Sequence, residues 1–330
     1  MKTFVTGASG FVGSAVLRLL IKEGHTVVAL VRPSSDRSNL AGLPVETVTG
    51  DLTDSKSFAN ALVGCNYLFH VAADYRLWVP RPNKMYETNV TGTRNLMLAA
   101  AQAGVERIVY TSSVATLGLN SDGALADEST PVTLDDMVGH YKRSKYLAEA
   151  EVKRLVEEQN LPVVIVNPST PVGPRDIRPT PSGRVIVDAA SGRIPAYVDT
   201  GLNLVNVDDV AVGHLLALHH GIIGRRYILG AQNMTLKEFL TEVAIMAGQA
   251  PPKVRLPQGL ILPVAYFAEG WARLIGSVEP LITVDGVKLS KKKMFFSSER
   301  AERELGFRPG PVKDALRDAI NWFRQNNYLR

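Results

Sequence analysis

The sequence predicts an α/β fold in which a doubly wound parallel sheet is joined to a smaller, mixed C-terminal domain. Two observations carry this prediction. Short runs rich in valine, isoleucine and tyrosine alternate with longer segments of helical spacing through the first half of the chain. These runs are nearly continuous in apolar residues, as expected of parallel strands that helices cover on both faces. A chain of 330 residues is long enough to bury a large core of this kind.

The predicted strands and helices alternate, as in a doubly wound sheet. The strand segments are compact and apolar: "TFVTG", "TVVALV", "VETVTG", "YLFHVA", "RIVYTSS" and "PVVIVNP". The helical segments lie between them and often end at glycine: "GSAVLRLLIKEG", "SKSFANALVG", "NVTGTRNLMLAAAQAG" and "KRSKYLAEAEVKRLVEEQ".

The alternation stops after Pro168, where "PSTPVGPRDIRPTPSGR" predicts irregular structure at a domain edge. A short strand that feeds a helix in "LVNVDDVAVGHLLALHH" then predicts a return to the sheet. Further helices are expected at 235–247, 258–275 and 311–325, with a proline-rich joint at 251–257. We therefore predict a dinucleotide-binding domain at 1–170 and 203–228, and a substrate-binding domain at 171–202 and 229–330.

Composition and charge exclude several classes of protein. The hydrophobic fraction of 45% and the charged fraction of 21% are typical of globular proteins. The net charge of +5 is mild, and no dense basic stripe with interleaved aromatic residues indicates nucleic-acid binding. "KKK" at 291–293 is interpreted as a solvated loop. The histidines lack metal-ligand spacing, so no metal is expected.

Cysteine content and apolar patterning predict a cytoplasmic protein without stable membrane insertion. Cys65 is the single cysteine, which excludes an internal disulfide and favours a reducing compartment. "MKTFVTGASG" passes from strand to glycine loop without an export signal. The longest apolar stretch, "LILPVAYFAEGWARLIG", is broken by proline and charge and is too short for a bilayer of ~30 Å. The helix around Tyr266, Phe267 and Trp271 is expected to pack against the substrate domain, and a membrane-facing role of this helix is the weaker alternative.

A glycine-rich turn between the first strand and the first helix predicts a phosphate-binding loop. "VTGASGFVGSAV" places Gly7, Gly10 and Gly13 where the backbone must turn sharply and approach a pyrophosphate without an intervening Cβ. The helix N-terminus then presents free N–H groups to the anion. The spacing is G-x-x-G-x-x-G, and its position in a strand–loop–helix context favours a Rossmann-type dinucleotide site over a mere tight corner.

The end of the second strand indicates which dinucleotide is bound. Arg32 stands where an acidic residue would bind a free ribose hydroxyl and an arginine would bind a 2′-phosphate. The neighbouring Ser34, Ser35 and Arg37 can add donors, so NADP is favoured. Asp36 keeps NAD as the alternative.

The segment "TGDLTD" follows the third strand. Asp51 there can accept from the adenine amine. Equally, Asp51 or Asp54 can cap the next helix.

"GHYKRSKYLAEAE" places Tyr141 and Lys145 four residues apart on one helix face. A phenol near pKa 10 is a poor proton carrier at neutral pH, and a neighbouring ammonium is expected to lower the pKa of Tyr141. Ser113 in "VYTSSVATLG" follows a strand and can donate to a substrate oxygen beside Tyr141. Lys142 and Arg143 are expected to be solvated.

At these residues the chain resembles an extended short-chain dehydrogenase/reductase, the group that holds nucleotide-sugar epimerases and dehydratases and the dihydroflavonol reductases. The resemblance covers nearly the whole chain through "TGASGFVG", "GDLTD", "HVAA", "NVTGT", "TSS", "YKRSK", "NPSTPVGP" and "VNVDDVA". The stretches "HVAADYRLWVP", "NPSTPVGPRDI" and "KKKMFFSS" resemble those of the bacterial hopanoid-associated sugar epimerases in particular.

The resemblance implies a role for each matching position. Ser113, Tyr141 and Lys145 match the catalytic triad, with Ser112 the alternative to Ser113, and Lys145 also holds cofactor ribose hydroxyls. The cofactor-binding positions are Gly7, Gly10, Phe11, Val12 and Gly13 at the pyrophosphate, Arg32 at the ribose, Asp51 and Leu52 at the adenine, Ala72 and Ala73 under the cofactor, and Pro168 at the nicotinamide. The resemblance also implies a homodimer through the helices around 90–103 and 141–158.

The expected reaction is hydride transfer between a nicotinamide and the carbon of a secondary alcohol or ketone. A nucleotide-sugar epimerase of the hopanoid-associated type, acting on a nucleotide sugar or hopanoid-linked sugar, is one interpretation. Arg32 instead matches the dihydroflavonol-reductase pattern, whereas sugar epimerases of this group carry an acidic residue there and retain NAD. A non-catalytic NADP-binding redox sensor is the alternative from another class.

The substrate pocket is expected to be lined by side chains from the irregular segments. These candidates are Tyr75, Arg76, Trp78, His140, Arg175, Arg178 and Arg184. The three arginines of residues 175–184 can bind a phosphate or carboxylate, as a nucleotide sugar requires. The alternative is that they are solvated loop residues.

Overall fold

A computed structural model describes residues 1–76, 78–79, 82–120, 123–275 and 283–329. Strands are formed where the predicted apolar runs stand, and others follow in the C-terminal half. They are β1 (Lys2–Thr6), β2 (Thr26–Val31), β3 (Val45–Thr49), β4 (Tyr67–His70), β5 (Arg107–Thr111), β6 (Val163–Pro168), β7 (Thr170–Val172), β8 (Ala196–Tyr197), β9 (Gly201–Asn206), β10 (Arg226–Leu229), β11 (Gln232–Thr235), β12 (Val254–Arg255) and β13 (Lys293–Met294).

The main sheet is parallel throughout, with the strand order β10-β6-β5-β4-β1-β2-β3. Each predicted strand of the first half is therefore confirmed. Buried apolar side chains fill both faces of this sheet, as the continuous apolar runs predicted. The order reverses between β1 and β4, and open α/β sheets bind ligands beyond the carboxyl ends of the strands at such a point.

Helices cover both faces of the main sheet and build much of the C-terminal part. They are α1 (Phe11–Lys22), α2 (Ala59–Leu62), α3 (Pro82–Tyr86), α4 (Gly92–Gln102), α5 (Gly139–Gln159), α6 (Pro181–Ala190), α7 (Val207–His220), α8 (Leu236–Met246), α9 (Gln258–Ile275), α10 (Val284–Leu289), α11 (Glu299–Leu305) and α12 (Val312–Gln325). A π-helical turn, Glu87–Thr91, joins α3 to α4. Among the described residues, no helix is both long and apolar enough to cross a membrane.

The helix predicted at 55–64 is largely replaced by a 3₁₀ turn and the short α2. Asp54 accepts the backbone N–H of Lys56 at 3.2 Å, and the Ser57 hydroxyl donates to the Asp54 carbonyl at 2.6 Å. These local side-chain bonds compete with the helical ladder and fix a tight turn. The interpretation of Asp54 as a helix cap is confirmed for this turn.

The structure differs from the prediction in a second, smaller sheet and in the segment after Pro168. The strand before α7 was expected to rejoin the main sheet, but β9 pairs with β7, β11 and β13 instead, and β10 makes the return. The segment after Pro168 is also less irregular than predicted, because it contains β7 and α6. Pro181 is tolerated at the start of α6, where its missing N–H would have no helical partner. Helices α6, α8 and α12 pack their apolar faces into one core beside this sheet.

Candidate active site

The glycine loop between β1 and α1 leaves no room for side chains. Gly7 has φ +73°, and a Cβ there would lie 2.7 Å from the Ala72 nitrogen. A Cβ on Gly13 would lie 2.1 Å from the Gly7 carbonyl oxygen. Gly10 precedes α1 without a side-chain cap, so the first helical N–H groups remain available to a ligand. The loop therefore fits a dinucleotide pyrophosphate, and Phe11 and Val12 lie in the first turn of the same helix.

Arg32 lies exposed at the end of β2, as the predicted ribose-discriminating position requires. Its backbone N–H donates to the Ser35 hydroxyl at 3.1 Å, which shapes the turn. Asp36 is engaged elsewhere, because its carboxylate accepts the Ser38 N–H at 2.9 Å and the Ser38 hydroxyl. The pKa of Asp36 is lowered by these Ser38 hydrogen bonds. Asp36, the residue for which NAD was the alternative cofactor, therefore uses its carboxylate in hydrogen bonds to Ser38.

Asp51 and Leu52 follow β3 and face different surroundings. The Asp51 carboxylate accepts the N–H and the hydroxyl of Thr53 at 2.9 and 2.7 Å. Burial raises the pKa of Asp51, but the Thr53 bonds outweigh it and the pKa is lowered. Leu52 is buried, and a Cβ on Gly92 would lie 2.7 Å from its Cβ.

His70 ties β1 to α4 beneath the glycine loop, a role that the sequence analysis missed. Its Nδ1 lies 2.8 Å from the Thr6 hydroxyl and its Nε2 2.9 Å from the Thr93 hydroxyl. Burial, reinforced by Lys145, lowers the pKa of His70 to about 3, so the ring is neutral. The Thr6 hydroxyl also accepts the N–H of Ala72 at 3.2 Å, which fixes the wall formed by Ala72 and Ala73.

Ser113 and Tyr141 are brought together. Burial raises the pKa of Tyr141, and the nearby Ser113 side chain opposes this rise. Ser113 follows β5 and caps a 3₁₀ turn, with its hydroxyl oxygen accepting the Ala115 N–H at 3.1 Å. Ser112 turns the other way and donates to Glu149 at 2.6 Å. The geometry thus favours Ser113 over Ser112 as the partner of Tyr141.

The sequence analysis expected the Lys145 ammonium beside the Tyr141 hydroxyl, but Lys145 makes its hydrogen bonds elsewhere. Its ammonium donates to the Thr111 carbonyl at 2.8 Å and to the Tyr110 hydroxyl at 3.3 Å. Burial raises the pKa of Tyr141, and the Ser113 side chain opposes this rise only in part. The expectation that Lys145 lowers the pKa of Tyr141 is therefore wrong for this arrangement. Burial lowers the pKa of Lys145 itself to about 8, with the Glu149 carboxylate opposing the shift.

Glu149, one helical turn beyond Lys145, is a buried carboxylate that the sequence analysis did not single out. It accepts from Ser112 at 2.6 Å, from Thr116 at 2.8 Å and from Asn167 at 3.0 Å. Lys153 and Arg226 pair with it at 2.7 and 3.2 Å. The Asn167 amide also donates to the Ser113 carbonyl at 2.9 Å, and the Thr116 hydroxyl oxygen lies 2.8 Å from the same carbonyl oxygen. Glu149 therefore holds the segment that carries Ser113.

The π-helical turn before α4 positions the loop that follows β4. Asn89 on this turn accepts the Asp74 N–H at 2.7 Å and donates to the Asp74 carbonyl at 2.9 Å. The same amide donates to the Ser144 hydroxyl at 2.9 Å, and Ser144 donates to the Tyr141 carbonyl at 2.8 Å. Asn89 thus fixes the loop against the turn of α5 that bears Tyr141. The sequence signal is the motif "NVTGT", of which this asparagine is the first residue.

The predicted substrate residues near this loop make local contacts. Arg76 pairs with Asp74 at 2.5 Å, so its guanidinium is partly neutralised. Tyr75 is 45% exposed and Trp78 is half-buried. His140 Nδ1 lies 3.1 Å from the Tyr86 hydroxyl on α3. These side chains stay candidates for the substrate wall.

Two of the three arginines of residues 175–184 interact with carboxylates of other segments. Arg175 pairs with Asp208 at the start of α7, and its carbonyl accepts from Asn39 at 3.1 Å. The pKa of Asp36 is lowered mainly by its Ser38 hydrogen bonds, and Arg178 adds a weaker electrostatic contribution. The expectation that these arginines line the substrate pocket stays a prediction. Arg184 is exposed on α6.

The C-terminal segment supplies a wall that sequence reasoning missed. Asp285 on α10 packs so closely on Gly139 that a Cβ there would lie 2.6 Å from its Oδ2. The Lys142 ammonium lies 3.9 Å from the Met294 sulfur, and burial, with Lys292 adding repulsion, lowers the pKa of Lys142 to about 8. The expectation that Lys142 is solvated is wrong, because this segment covers the first turn of α5.

Two buried polar atoms at the end of β6 fit a bound ligand. Pro168 ends β6, and the Asn167 Oδ1 and Ser169 hydroxyl beside it have no hydrogen-bond partner among the described residues. Buried polar groups of this kind are usually satisfied, so a polar ligand is expected at this edge. Within the described part of the chain, no group of three or more His, Cys, Asp and Glu side chains can hold a metal ion.

Comparison with known sequences gives a consistent group of relatives. Residues 3–230 match the NAD dependent epimerase/dehydratase family. A Synechocystis protein provisionally named dihydroflavonol 4-reductase is 44% identical, over 99% of this chain and 96% of its own. Sterol demethylase protein B of Methylococcus capsulatus is 35% identical over the full length of both chains. A 3-beta-hydroxysteroid dehydrogenase of Mycolicibacterium neoaurum is 29% identical, over 93% of this chain and 87% of its own.

Solved structures agree with these relatives. The crystal structure of the protein gox2253 is 58% identical, with a TM-score of 0.90 over 99% of each chain. A nucleoside-diphosphate-sugar epimerase from Pseudomonas aeruginosa is 27% identical, with a TM-score of 0.81 over 100% of this chain and 99% of its own. UDP-glucose 4-epimerase of Thermus thermophilus, solved with NAD, has a TM-score of 0.78 at 24% identity over 98% of this chain and 99% of its own, and so shares the fold.

Proposed function

The chain belongs to the NAD-dependent epimerase/dehydratase family, and from this premise we propose that it reduces a ketone, or oxidises the matching secondary alcohol, with NADP. The observation that carries the proposal is the proximity of the Ser113 and Tyr141 side chains, with Lys145 one turn further along α5. The nicotinamide, when bound, supplies the hydride in reduction and accepts it in oxidation. The protein contributes the proton and the orientation.

Tyr141 is the proposed proton donor to the ketone oxygen. Because its pKa is raised by burial, Tyr141 is a neutral phenol at pH 7, which is the form that can donate. Ser113 would share the same substrate oxygen and orient it. Lys145, with a pKa of about 8, is mainly protonated at pH 7 and places a positive charge beneath this pair.

Reduction is favoured over sugar epimerisation by the placement of the arginines. A nucleotide sugar carries a diphosphate that needs cationic partners in the substrate pocket. Arg175 is paired with Asp208, and Arg178 stands near Asp36 instead. The relatives named for a dihydroflavonol and for steroids suggest the substrate class. We propose a ring-borne ketone or secondary alcohol on a largely apolar, multi-ring molecule.

A nucleotide-sugar epimerase is the second candidate, and it covers the hopanoid-linked sugar that the sequence resemblance implied. The similarity to the Pseudomonas sugar epimerase supports it. The two candidates differ in cofactor handling, because an epimerase must keep its reduced cofactor and return the hydride to the other face. Bound NAD released only on denaturation would favour the epimerase, and exchangeable NADP would favour the reductase.

Replacing Tyr141 by phenylalanine tests the proposal directly. Tyr141→Phe should lower kcat at least a hundredfold, on the order expected for loss of a general acid, while NADPH binding stays unchanged. Tyr146→Phe, on the same helix, is the matched control. The assay is NADPH oxidation at neutral pH with a multi-ring ketone, and cofactor binding is followed by nucleotide fluorescence.

Full turnover by Tyr141→Phe would contradict the proposed role of its hydroxyl. An unchanged biological output of Tyr141→Phe, combined with no turnover by the unmodified chain on any ketone or sugar nucleotide, would favour the NADP-binding redox sensor.

A further inference from the structure

Helix α9 turns its apolar aromatic side chains outward. Phe267 is 74% exposed, Trp271 58% and Tyr266 57%, and the rings of Phe267 and Trp271 stack with centroids 6.3 Å apart. Gly259, Pro263 and Gly270 are exposed on the same helix. We call these six residues the outer face of α9. None of them is charged.

The other side of α9 is occupied by its own packing. Ala265 is fully buried against Val284 and Val287 of α10. Glu269, the single acidic residue of α9, also faces this way, and its carboxylate accepts the Val284 N–H at 2.7 Å. The helix thus engages its acidic group in packing and exposes its aromatics, which is the reverse of an ordinary surface helix. The helix does pack against the C-terminal segment, as expected, but through this side and not through its aromatics.

A positively charged cleft lies where the chain enters α9. Arg255, Lys291 and Lys293 line this cleft of about 310 Å³ together with Asp199, which pairs with Arg255 at 2.8 Å. Leu256 and Pro257 line it as well and lead directly into the first turn of α9. Cations therefore adjoin the apolar outer face at the helix start.

We infer that the outer face of α9 and the adjoining cationic cleft dock this protein on an anionic lipid surface. Tyrosine and tryptophan favour the boundary between water and lipid, where the ring is buried and its polar atom stays hydrated. Lysine and arginine near such a face are attracted to anionic headgroups, and the chain carries a net charge of +5. A second copy of the chain would complement the aromatics but would bring an identical positive cleft to the contact.

The docking surface is linked to the catalytic helix through α10. Helix α9 packs on α10, and Asp285 of α10 lies against Gly139 in the first turn of α5, two residues before Tyr141. The element that meets the lipid is therefore next to the element that covers the active site. This inference goes beyond the proposed hydride transfer and does not depend on it.

Vesicle cosedimentation of the full chain tests the inference. The unmodified protein should pellet with vesicles of phosphatidylglycerol and phosphatidylcholine at low salt, and much less with phosphatidylcholine alone. The double variant Phe267→Ser with Trp271→Ser should lose roughly tenfold or more of its partitioning. The double variant Lys291→Ala with Lys293→Ala should lose the preference for anionic vesicles.

Ile245→Ser is the matched control, since Ile245 is 61% exposed on α8 and should leave partitioning unchanged. Thermal unfolding of each variant verifies the fold, because all the changed side chains are exposed. Equal pelleting of the aromatic variant and the unmodified chain would overturn the inference. If the unmodified chain does not pellet with anionic vesicles, the inference is also overturned. If sedimentation velocity shows an oligomer that only the aromatic variant dissociates, the outer face of α9 contacts a second copy instead.

Discussion

Replacement of Glu149 by glutamine should destabilise the protein by about 3 kcal/mol at neutral pH. The Glu149 side chain is only 3% exposed and pairs with Lys153 and Arg226. Burial on its own would raise the pKa of Glu149, but Lys153, Ser112 and Arg226 together hold the pKa at about 2, below its ordinary value of 4.5. Each pKa unit corresponds to about 1.4 kcal/mol, which gives the stated magnitude.

The sign of the pH dependence follows from the direction of this shift. A carboxylate whose pKa is depressed on folding stabilises the folded state above its unfolded pKa, and the contribution is lost as the pH falls towards the folded pKa. The difference between Glu149 and Glu149→Gln should therefore be complete above about pH 5 and decrease to about 2 kcal/mol at pH 3.5.

Urea unfolding followed by tryptophan fluorescence at pH 7 and pH 3.5 measures this difference. Glu151→Gln on the same helix is the matched control, because Glu151 pairs with Arg154 and Arg94 near the surface and should cost less than about 1 kcal/mol. A Glu149→Gln variant as stable as the unmodified chain at pH 7 would refute the reasoning. A difference that persists undiminished in acid would show that packing, rather than charge, accounts for the loss.

Three further outcomes are expected at the cofactor site. Gly13→Ala should weaken NADP binding roughly tenfold or more, because its Cβ would lie 2.1 Å from the Gly7 carbonyl, whereas Gly259→Ala meets open space. Arg32→Glu should shift the ratio of Kd values towards NAD by on the order of a hundredfold, measured by nucleotide fluorescence. NADP affinity should fall as the pH rises through about 8, where Lys145 loses its charge, and Lys145→Met should show no such change. An affinity that is flat across this range in the unmodified chain would contradict the charged role of Lys145.

Local spacing in the sequence was enough to predict the main sheet and the position of the glycine loop. Parallel strands covered on both faces need continuous apolar runs, and a turn without room for a Cβ needs glycine. Both features can therefore be predicted from residues that are adjacent in the sequence. The proximity of Tyr141 to Lys145 likewise follows from one helix. The family resemblance rested on motifs of the same local kind, and it was confirmed.

The tertiary structure alone decided what each charged group contacts. Lys145 turns to Tyr110, and Glu149 collects donors from β5, β6 and β10, which are far apart in the sequence. Arg175 pairs with Asp208, and Phe267 faces outward from α9. Helical periodicity shows that a helix has an apolar face, but the direction of that face depends on which distant elements pack against it. For the same reason, the hydrogen-bond and ion-pair partners of a charged side chain depend on the packing of the whole chain and not on its local segment.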